Sequence, residues 1–296
     1  FNNAGVRTQR SVPGWITNPQ IIAQENLNSF DRNRFFGNVK GSYEFSDQFT
    51  GFVRIGIDRY DDARTSRRPS GQTYFANGMY REQDISFQEV NADFLLSYNT
   101  ELDGIGLGMK VGGNTMRQNA SDFQVRVDQL DILNVYNFGN ALDRPKINEA
   151  DAEKRINSFY GGANLNFDDK IFVDVTGRND WSSTLSERNN SFFYPALGVS
   201  AILSKMAILS NNINYLQVRA SWAKTGNDTD PQLINPAYAY GTLPGSATNQ
   251  RLIVDPNLKP ERTTSYEVGF DLKMFNYKWN IELNLYQNST EDQILR

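Results

Sequence analysis

The sequence predicts an all-β chain, an antiparallel sheet of about ten strands with lipid on one side and water on the other, as in a transmembrane β-barrel. Three observations lead to this fold class. Apolar and polar residues alternate in segment after segment, the connections alternate between short and long, and the chain is rich in glycine and aromatic residues, with Gly 22, Tyr 14 and Phe 19. Hydrophobic residues are only 39%, but in a barrel strand only every second residue needs to be apolar.

Residues 254–274 show the alternation most clearly. Two turn signals, Asp255-Pro256-Asn257 and Lys259-Pro260-Glu261, precede a strand. One face of that strand carries Thr264, Tyr266, Val268, Phe270 and Leu272. The other face carries Thr263, Ser265, Glu267, Gly269 and Asp271. Successive side chains of a strand point to opposite faces, so this segment predicts one apolar side and one polar side.

The same pattern recurs along the chain. The predicted strands are 33–45, 49–60, 85–99, 105–117, 155–167, a sixth running through 171–178, 192–203, 215–225, 262–274 and 278–289. In the seventh strand the alternation is blurred and Pro195 interrupts it. Asp103-Gly104 is a hairpin signal between the third and fourth strands.

The connections form two groups. Those from odd to even strands are short, whereas those from even to odd strands, at 61–83, 119–152, 182–191 and 227–261, are medium or long. Outer-membrane barrels have short periplasmic turns and long extracellular loops. Aromatic residues cluster beside the short turns and suit a girdle at the membrane interface: Tyr43, Phe45, Phe49, Phe167, Phe172, Phe275, Tyr277 and Trp279.

A soluble β-sandwich explains any single strand equally well, because its half-buried strands alternate in the same way. Ten strands with phased connections favour the barrel. A soluble carbohydrate-binding sandwich remains an alternative.

Composition narrows the possible functions. The chain has no cysteine and no histidine, which excludes thiol catalysis, the Ser-His-Asp triad, imidazole bases and most zinc sites. A net charge of −4 without a basic stripe argues against nucleic acid. A carboxylate pair leaves an outer-membrane enzyme as a remote alternative. We expect no enzymatic activity, no catalytic or metal-binding residue and no cofactor.

Three segments resemble a known family, the SusC/RagA-type TonB-dependent transporters. Asp180–Leu185 and Asn190–Ser200 resemble its stretch DWSSTL…FYPSxxxS. Leu216–Asp228 resembles its strand end LRASWGxTGND. The segment opening at 254 and continuing to Leu295 resembles its block NPxLKPExTxSYExGxD…YxxxTxDQIL. The resemblance is plain over 155–296 and weaker over 1–154.

The resemblance implies an importer of the outer membrane of Gram-negative bacteria. The family has a 22-stranded barrel with a plug inside it, a SusD-like surface lipoprotein as a lid, oligosaccharides or peptides as cargo, and energy from TonB–ExbB–ExbD. The chain starts without Met and shows neither a plug nor a TonB-contacting segment. We therefore interpret 1–296 as a partial barrel domain without the plug and the terminal strand, with its TonB contact in a missing N-terminal region. A siderophore or cobalamin receptor of the wider TonB-dependent class is the alternative.

Two groups of residues are candidates for contacts. Charged residues on the polar face are expected to line the lumen and meet the plug: Arg34, Lys40, Arg54, Asp174, Arg178, Arg219, Glu267 and Asp271. Aromatic residues in the three long loops are expected to contact cargo or the lid, or else to pack the loops together: Tyr74, Phe75, Tyr80, Tyr136, Phe138, Tyr238 and Tyr240. Asn227-Asp228-Thr229-Asp230 carries possible Ca²⁺ ligands, but its spacing is not that of an EF-hand, and we expect a capped turn.

Overall fold

The computed structural model describes residues 19–72, 74–207, 209–231, 233–234, 239–240, 247–248 and 255–294. Helix α1 is Pro19–Glu25 and helix α2 is Leu203–Met206. The strands are β1 Leu27–Glu44, β2 Phe49–Arg68, β3 Met79–Leu102, β4 Ile105–Val127, β5 Lys146–Phe167, β6 Ile171–Ser182, β7 Ser191–Ile202, β8 Ile213–Asn227, β9 Ala239–Tyr240, β10 Ala247–Thr248, β11 Glu261–Met274 and β12 Trp279–Glu291.

Ten of these strands form one sheet in the order β1-β2-β3-β4-β5-β6-β7-β8-β11-β12. Each strand pairs with its neighbours along the chain, except that β8 pairs with β11 and skips the short β9 and β10, and the sheet is antiparallel. The short strands β9 and β10 pair with each other in a second sheet. The predicted all-β antiparallel sheet is confirmed, and its strand order is that of an up-and-down barrel.

The chain divides into two compact units. The first comprises Phe1–Gly37, Ile57–Glu89 and Gln118–Glu153. The second comprises Asn38–Gly56, Val90–Arg117 and Lys154–Arg296.

Two of the predicted long loops are shorter than expected. Strand β2 continues to Arg68 and β3 begins at Met79, so the connection is 69–78 rather than 61–83. Strand β4 continues to Val127 and β5 begins at Lys146, so 119–152 shrinks to 128–145. In 118–127, Phe123, Val125 and Val127 alternate with polar residues, a signal that the predicted bounds left out. The residues 61–68 are polar on both faces, so hydropathy gave no signal there. Their burial still alternates, because Asp62 and Ser66 are buried whereas Ala63 and Arg67 are exposed.

The short turns have the backbone that tight hairpins require. Asp103 (φ 48°) and Gly104 (φ 79°) are both in the left-handed region, as are Asp168 (φ 51°) and Asp169 (φ 53°). Turns of type I′ need positive φ at both central residues, because only that twist matches the flanking strands. The predicted hairpin at Asp103-Gly104 is confirmed.

Pro195 lies within β7, opposite Gly177 of β6. On the other side of β7, the ladder with β8 begins only at Ala196, which pairs with Ala223. Proline has no N–H to donate, so its place just outside this ladder accounts for its tolerance in a strand between two neighbours.

Candidate functional site

The apolar face of the second unit is built from rows of side chains that follow the register of the sheet. One row runs through consecutive cross-strand partners from β5 to β12: Leu165, Val173, Val199, Ala220, Val268 and Leu285. A second row consists of Phe167, Ile171, Ala201, Val218, Phe270 and Leu283. The predicted apolar residues therefore lie side by side across six strands.

Side chains of this face remain exposed in the part of the chain that the structure describes. Val175 is 49% exposed, Val268 59% and Leu285 66%. Contiguous apolar surface of this extent marks an interaction with lipid or protein. Lipid can contact all of these apolar rows at once, as it does in a transmembrane barrel. Because only every second residue of each strand faces lipid, the chain can expose this apolar area and still have a low mean hydropathy.

The polar face carries ion pairs that bridge strands, with Arg219 of β8 as the most connected residue. Its guanidinium donates to Asp271 (2.6 Å) and Glu282 (2.8 Å), and also to Asn284 (2.7 Å). Gly269 of β11 is the cross-strand partner of both Arg219 and Asn284. A Cβ at Gly269 would lie 2.2 Å from Asn284 Oδ1 and 3.1 Å from Arg219 Nε, so the Arg219 bridge across β11 requires a glycine there.

Three more of the predicted lumen residues have polar partners, and Lys40 lies over an aromatic ring. Arg54 pairs with Asp93 (2.9 Å) and Arg34 with Asp58 (2.6 Å). The Lys40 ammonium lies 4.2 Å from the centre of the Phe52 ring. Arg178 pairs with Asp180 (2.7 Å) and also donates to Ser158 (2.8 Å).

Two further predicted lumen residues are Asp174 and Glu267. Asp174 lines a cavity of about 520 Å³ together with Asn99, Asn164 and Asn166. Glu267 lies opposite Ser221 of β8.

Two of the segments that carry the family resemblance meet at Asp228. One carboxylate oxygen accepts hydrogen bonds from Ser182 (2.5 Å) and Thr184 (3.1 Å). The other pairs with the Lys154 ammonium of β5 at 2.6 Å. The side chains of Lys154 and Asp228 are 17% and 7% exposed. We call Lys154, Ser182, Thr184 and Asp228 the polar joint.

The third segment reaches the same end of these strands. Asn189 donates to the carbonyl of Asn257 (2.7 Å), and the Ile294 N–H donates to Glu261 (2.7 Å). A cavity of about 450 Å³ opens beside the joint and is lined by Lys154, Asn227, Asp228, Thr229, Asp230, Glu261 and Ile294. The three segments thus hold β5, β6, β8 and β11 together where the sheet meets its larger loops.

Asp228 is not arranged as a metal ligand. Lys154, Ser182 and Thr184 occupy both of its oxygens. Within the described part of the chain, no group of three or more acidic residues is placed to hold a metal ion.

The loop aromatics separate into packed and exposed rings. Tyr80 belongs to β3 rather than to a loop, and only 6% of it is exposed. Its ring centre lies 5.2 Å from that of Phe138 and 6.4 Å from that of Tyr136. Together with Val127 and Leu130 these rings form a small core in the first unit. Loop 128–145 is thereby packed against the ends of β3 and β4.

The remaining loop aromatics lie outside this core. Tyr74 is exposed and Phe75 is half-buried in the connection 69–78. Tyr238 and the side chain of Tyr240 lie outside the described residues.

Two further side chains fix loop 128–145. Asn140 donates to the carbonyls of Ile132 and Val135, both at 2.7 Å, and accepts from the Ile132 N–H at 2.9 Å. Asp128 pairs with Arg126 (2.6 Å) and with Lys146. Burial raises the pKa of Asp128, but the hydrogen bonds from Lys146 and Arg126 outweigh it, and the net pKa lies below the ordinary value. Asp128 therefore stays charged and closes the base of the loop.

The comparisons with known proteins agree with this geometry. The family described as TonB dependent receptor-like, beta-barrel matches residues 1–296. The chain belongs to this family. Its sheet is part of an outer-membrane TonB-dependent receptor of the SusC/RagA type. No helix in the described ranges is long and apolar enough to cross a membrane.

Two curated relatives show how much of such a receptor is present. TonB-dependent receptor P26 of Formosa agariphila is 26% identical over 94% of this chain and 30% of its own length. TonB-dependent receptor SusC of Bacteroides thetaiotaomicron is 25% identical over 95% of this chain and 29% of its own length. The chain therefore spans about a third of the length of these relatives.

Solved structures share the fold. The structure of the RagAB peptide transporter superposes with a TM-score of 0.76 at 20% identity, covering 95% of this chain and 32% of that one. The siderophore receptor PiuA from Acinetobacter baumannii superposes with a TM-score of 0.55 at 12% identity, covering 88% of this chain and 40% of that one.

Sequence reasoning assigned the predicted lumen charges to one polar face, and their contact with the lumen or plug stays a prediction, but it missed the polar joint. Ser182 and Thr184 were quoted only as carriers of the resemblance, Asp228 was quoted there and as a possible Ca²⁺ ligand in a capped turn, and Lys154 was not singled out. The resemblance itself marked the segments that contain Ser182, Thr184 and Asp228. No local pattern, however, connects Lys154 with Asp228 across 74 positions.

Proposed function

We propose that this chain is a partial barrel domain of a SusC/RagA-type importer, which takes up oligosaccharides or peptides beneath a SusD-like lipoprotein lid and draws energy from TonB–ExbB–ExbD. The observation that carries the proposal is the meeting of the three resemblance segments at the polar joint and beside it. Because the three segments contact one another at this place, the residues by which they resemble the family also stabilise the sheet there. The exposed apolar rows support a lipid-facing wall around a polar path.

The polar face suits a path for hydrated cargo or a plug. In the second unit, Arg54 pairs with Asp93 and Arg219 with Asp271. Because these charges offset each other, this part of the wall offers fixed polar groups without a strong net electrostatic field. In this proposal, missing parts of the protein supply the plug and the TonB contact.

The test uses the full-length protein in its native host. Uptake of labelled oligosaccharide and peptide pools is compared in the wild type, a strain lacking this gene and a strain lacking TonB function. We expect both deletions to abolish uptake of the same pool and a tagged receptor to co-purify with a surface lipoprotein. Uptake that persists without TonB would refute the energised importer.

The siderophore alternative predicts a different result. The gene would be induced by iron limitation, its deletion would impair growth on a ferric chelate, and no lipoprotein would co-purify. The fold shared with PiuA keeps this alternative open, whereas the curated match to SusC over 95% of this chain favours the lidded importer.

A further inference from the structure

The arginines on the polar face of the first unit are unequally compensated by acidic groups. Asp62 accepts from Arg32 (2.5 Å) and Arg64 (2.8 Å), and Asp128 pairs with Arg126 and Lys146. Both oxygens of Asp122 accept from the Gln83 amide at 2.8 Å. These carboxylates are therefore already engaged.

Arg68 and Arg81 have only neutral partners among the described residues. Arg81 donates to Ser66 Oγ (3.0 Å) and Gln124 Oε1 (3.4 Å). Arg68 donates to Asn28 Oδ1 (3.0 Å) and the carbonyl of Arg67 (3.0 Å). The Nε–H of Arg81 is buried and has no acceptor among the described residues. The hydrogen-bonding capacity of this guanidinium is therefore not fully used by its protein partners.

The two guanidinium groups are neighbours. Ser66, which accepts from Arg81, is two residues from Arg68 on the same strand and is therefore on the same face. Burial, and then the positive charge of Arg81, lower the pKa of Arg68 at the outer end of β2. Two partly desolvated arginines that repel each other are complementary to an anion, since a guanidinium fork matches a carboxylate or sulfate group.

We propose that Arg68 and Arg81, with Ser66 between them, form a binding site for an acidic group of the cargo, and that the cargo is an acidic oligosaccharide. This inference rests on the proposed importer function and names its substrate class. Tyr74, exposed to 78% in the connection between the two strands, offers a ring face on which a sugar can stack.

An oligosaccharide fits this site better than a peptide. Peptides are often bound by adding a strand to a free sheet edge. Strands β2 and β3 are internal in the strand order, so no backbone edge is free beside Arg68 and Arg81. Recognition here depends on side chains alone.

The experiment is titration calorimetry on the purified full-length receptor in detergent. The probes are oligosaccharides of galacturonic acid and of sulfated galactose, a neutral galacto-oligosaccharide of equal length, and a hexaglutamate peptide. The variants are Arg68→Gln, Arg81→Gln and, as a matched control, Arg59→Gln. Arg59 lies on the same strand but pairs with Asp61 at the exposed surface (3.2 Å).

We expect an acidic oligosaccharide to bind more tightly than the neutral one and to lose affinity at higher salt. Arg68→Gln and Arg81→Gln should each weaken it about tenfold or more, as for a lost charge-assisted hydrogen bond, and Arg59→Gln should leave it unchanged. Equal binding of acidic and neutral sugars, no binding of any acidic sugar, or equal effects of Arg81→Gln and Arg59→Gln would overturn the site.

Tight binding of hexaglutamate alone would overturn the choice of an oligosaccharide. Because this readout is equilibrium binding, it stands apart from TonB-dependent uptake. Failure of the site leaves the importer testable, and failure of uptake leaves the binding result intact.

Discussion

The apolar rows and the polar joint both belong to the second unit, yet they depend on sequence in different ways. In the row from Leu165 to Leu285, six different strands contribute a residue that needs only to be apolar. In the joint, Asp228 needs a lysine on one side and two hydroxyls on the other. The lipid-facing wall is thus specified by residue class and the joint by individual atoms.

The largest effect is expected from breaking the joint with Asp228→Ala. The variant leaves the Lys154 ammonium without its carboxylate and removes the acceptor that Ser182 and Thr184 share, so that these hydroxyls keep only their contact with each other (2.9 Å). Removing one partner of a buried pair costs about 3–5 kcal/mol. Urea unfolding of the full-length receptor in detergent measures the loss.

Asp61→Ala is the control for Asp228→Ala. Asp61 pairs with Arg59, and both side chains are more than half exposed, at 54% and 55%. An exposed pair contributes about 0–1 kcal/mol. Equal losses in the two variants would show that burial does not distinguish the joint.

The wall is tested by placing a charge on each face at the same depth. Val268→Arg puts a guanidinium into the apolar row, whereas Ser221→Arg puts one opposite Glu267 on the polar face. A charge facing lipid near the midplane costs about 2–4 kcal/mol, so Val268→Arg should reduce insertion into the outer membrane and Ser221→Arg should not. Similar amounts of both variants in outer-membrane fractions would contradict the assignment of the faces.

A smaller effect is expected from Gly269→Ala. The new Cβ would lie 2.2 Å from Asn284 Oδ1, forcing Arg219 and Asn284 apart at a cost of about 1–3 kcal/mol. Gly198→Ala is the matched control, because its Cβ would meet only Asp174 Cβ at 3.8 Å. Thermal unfolding of both variants compares a crowded and an open glycine on one face.

The smallest effect is expected at a short turn. Gly104 has φ 79°, and a Cβ there would lie 2.2 Å from Asp168 Oδ1. Gly104→Ala should therefore destabilise by about 1 kcal/mol. Gly41→Ala is the control, because no atom lies within 4 Å of the added carbon, and it should not destabilise the protein. If both variants lose the same stability, backbone strain at Gly104 is not the cause of its loss.

The contrast between wall and joint also explains what the sequence could predict. Alternation located all ten main strands because Val173, Val199 and Val268 obey a repeated rule. It failed at 61–68, where residues of both faces are polar, such as Asp62 and Arg67. At 118–127 the alternation was present in Phe123, Val125 and Val127, but the predicted strand ended before it. Alternation also failed for the joint, where Lys154 and Asp228 meet only through the assembled sheet.

The group of Arg219, Asp271 and Glu282 lies between these cases. Their common face followed from spacing, but the partners of each residue required the register of three strands. Asn284 illustrates the difference. From spacing alone, Asn284 is one of several polar residues on this face. In the structure its Oδ1 accepts hydrogen bonds from Arg219, so replacing it with a charged residue would also remove those bonds.

The unbroken register of the rows restricts how such a chain can change its length. Deleting one residue inside β6, for example, would turn every later side chain of that strand to the opposite face and place Asp174 against lipid. Within these strands, insertions and deletions therefore keep the faces only when they come in pairs, a constraint that does not apply to loop residues outside the packed segment 128–145 and the polar joint. The ladder between β8 and β11 has one irregularity, at Lys273 and Met274 beside a short turn, and an odd residue is best accommodated there.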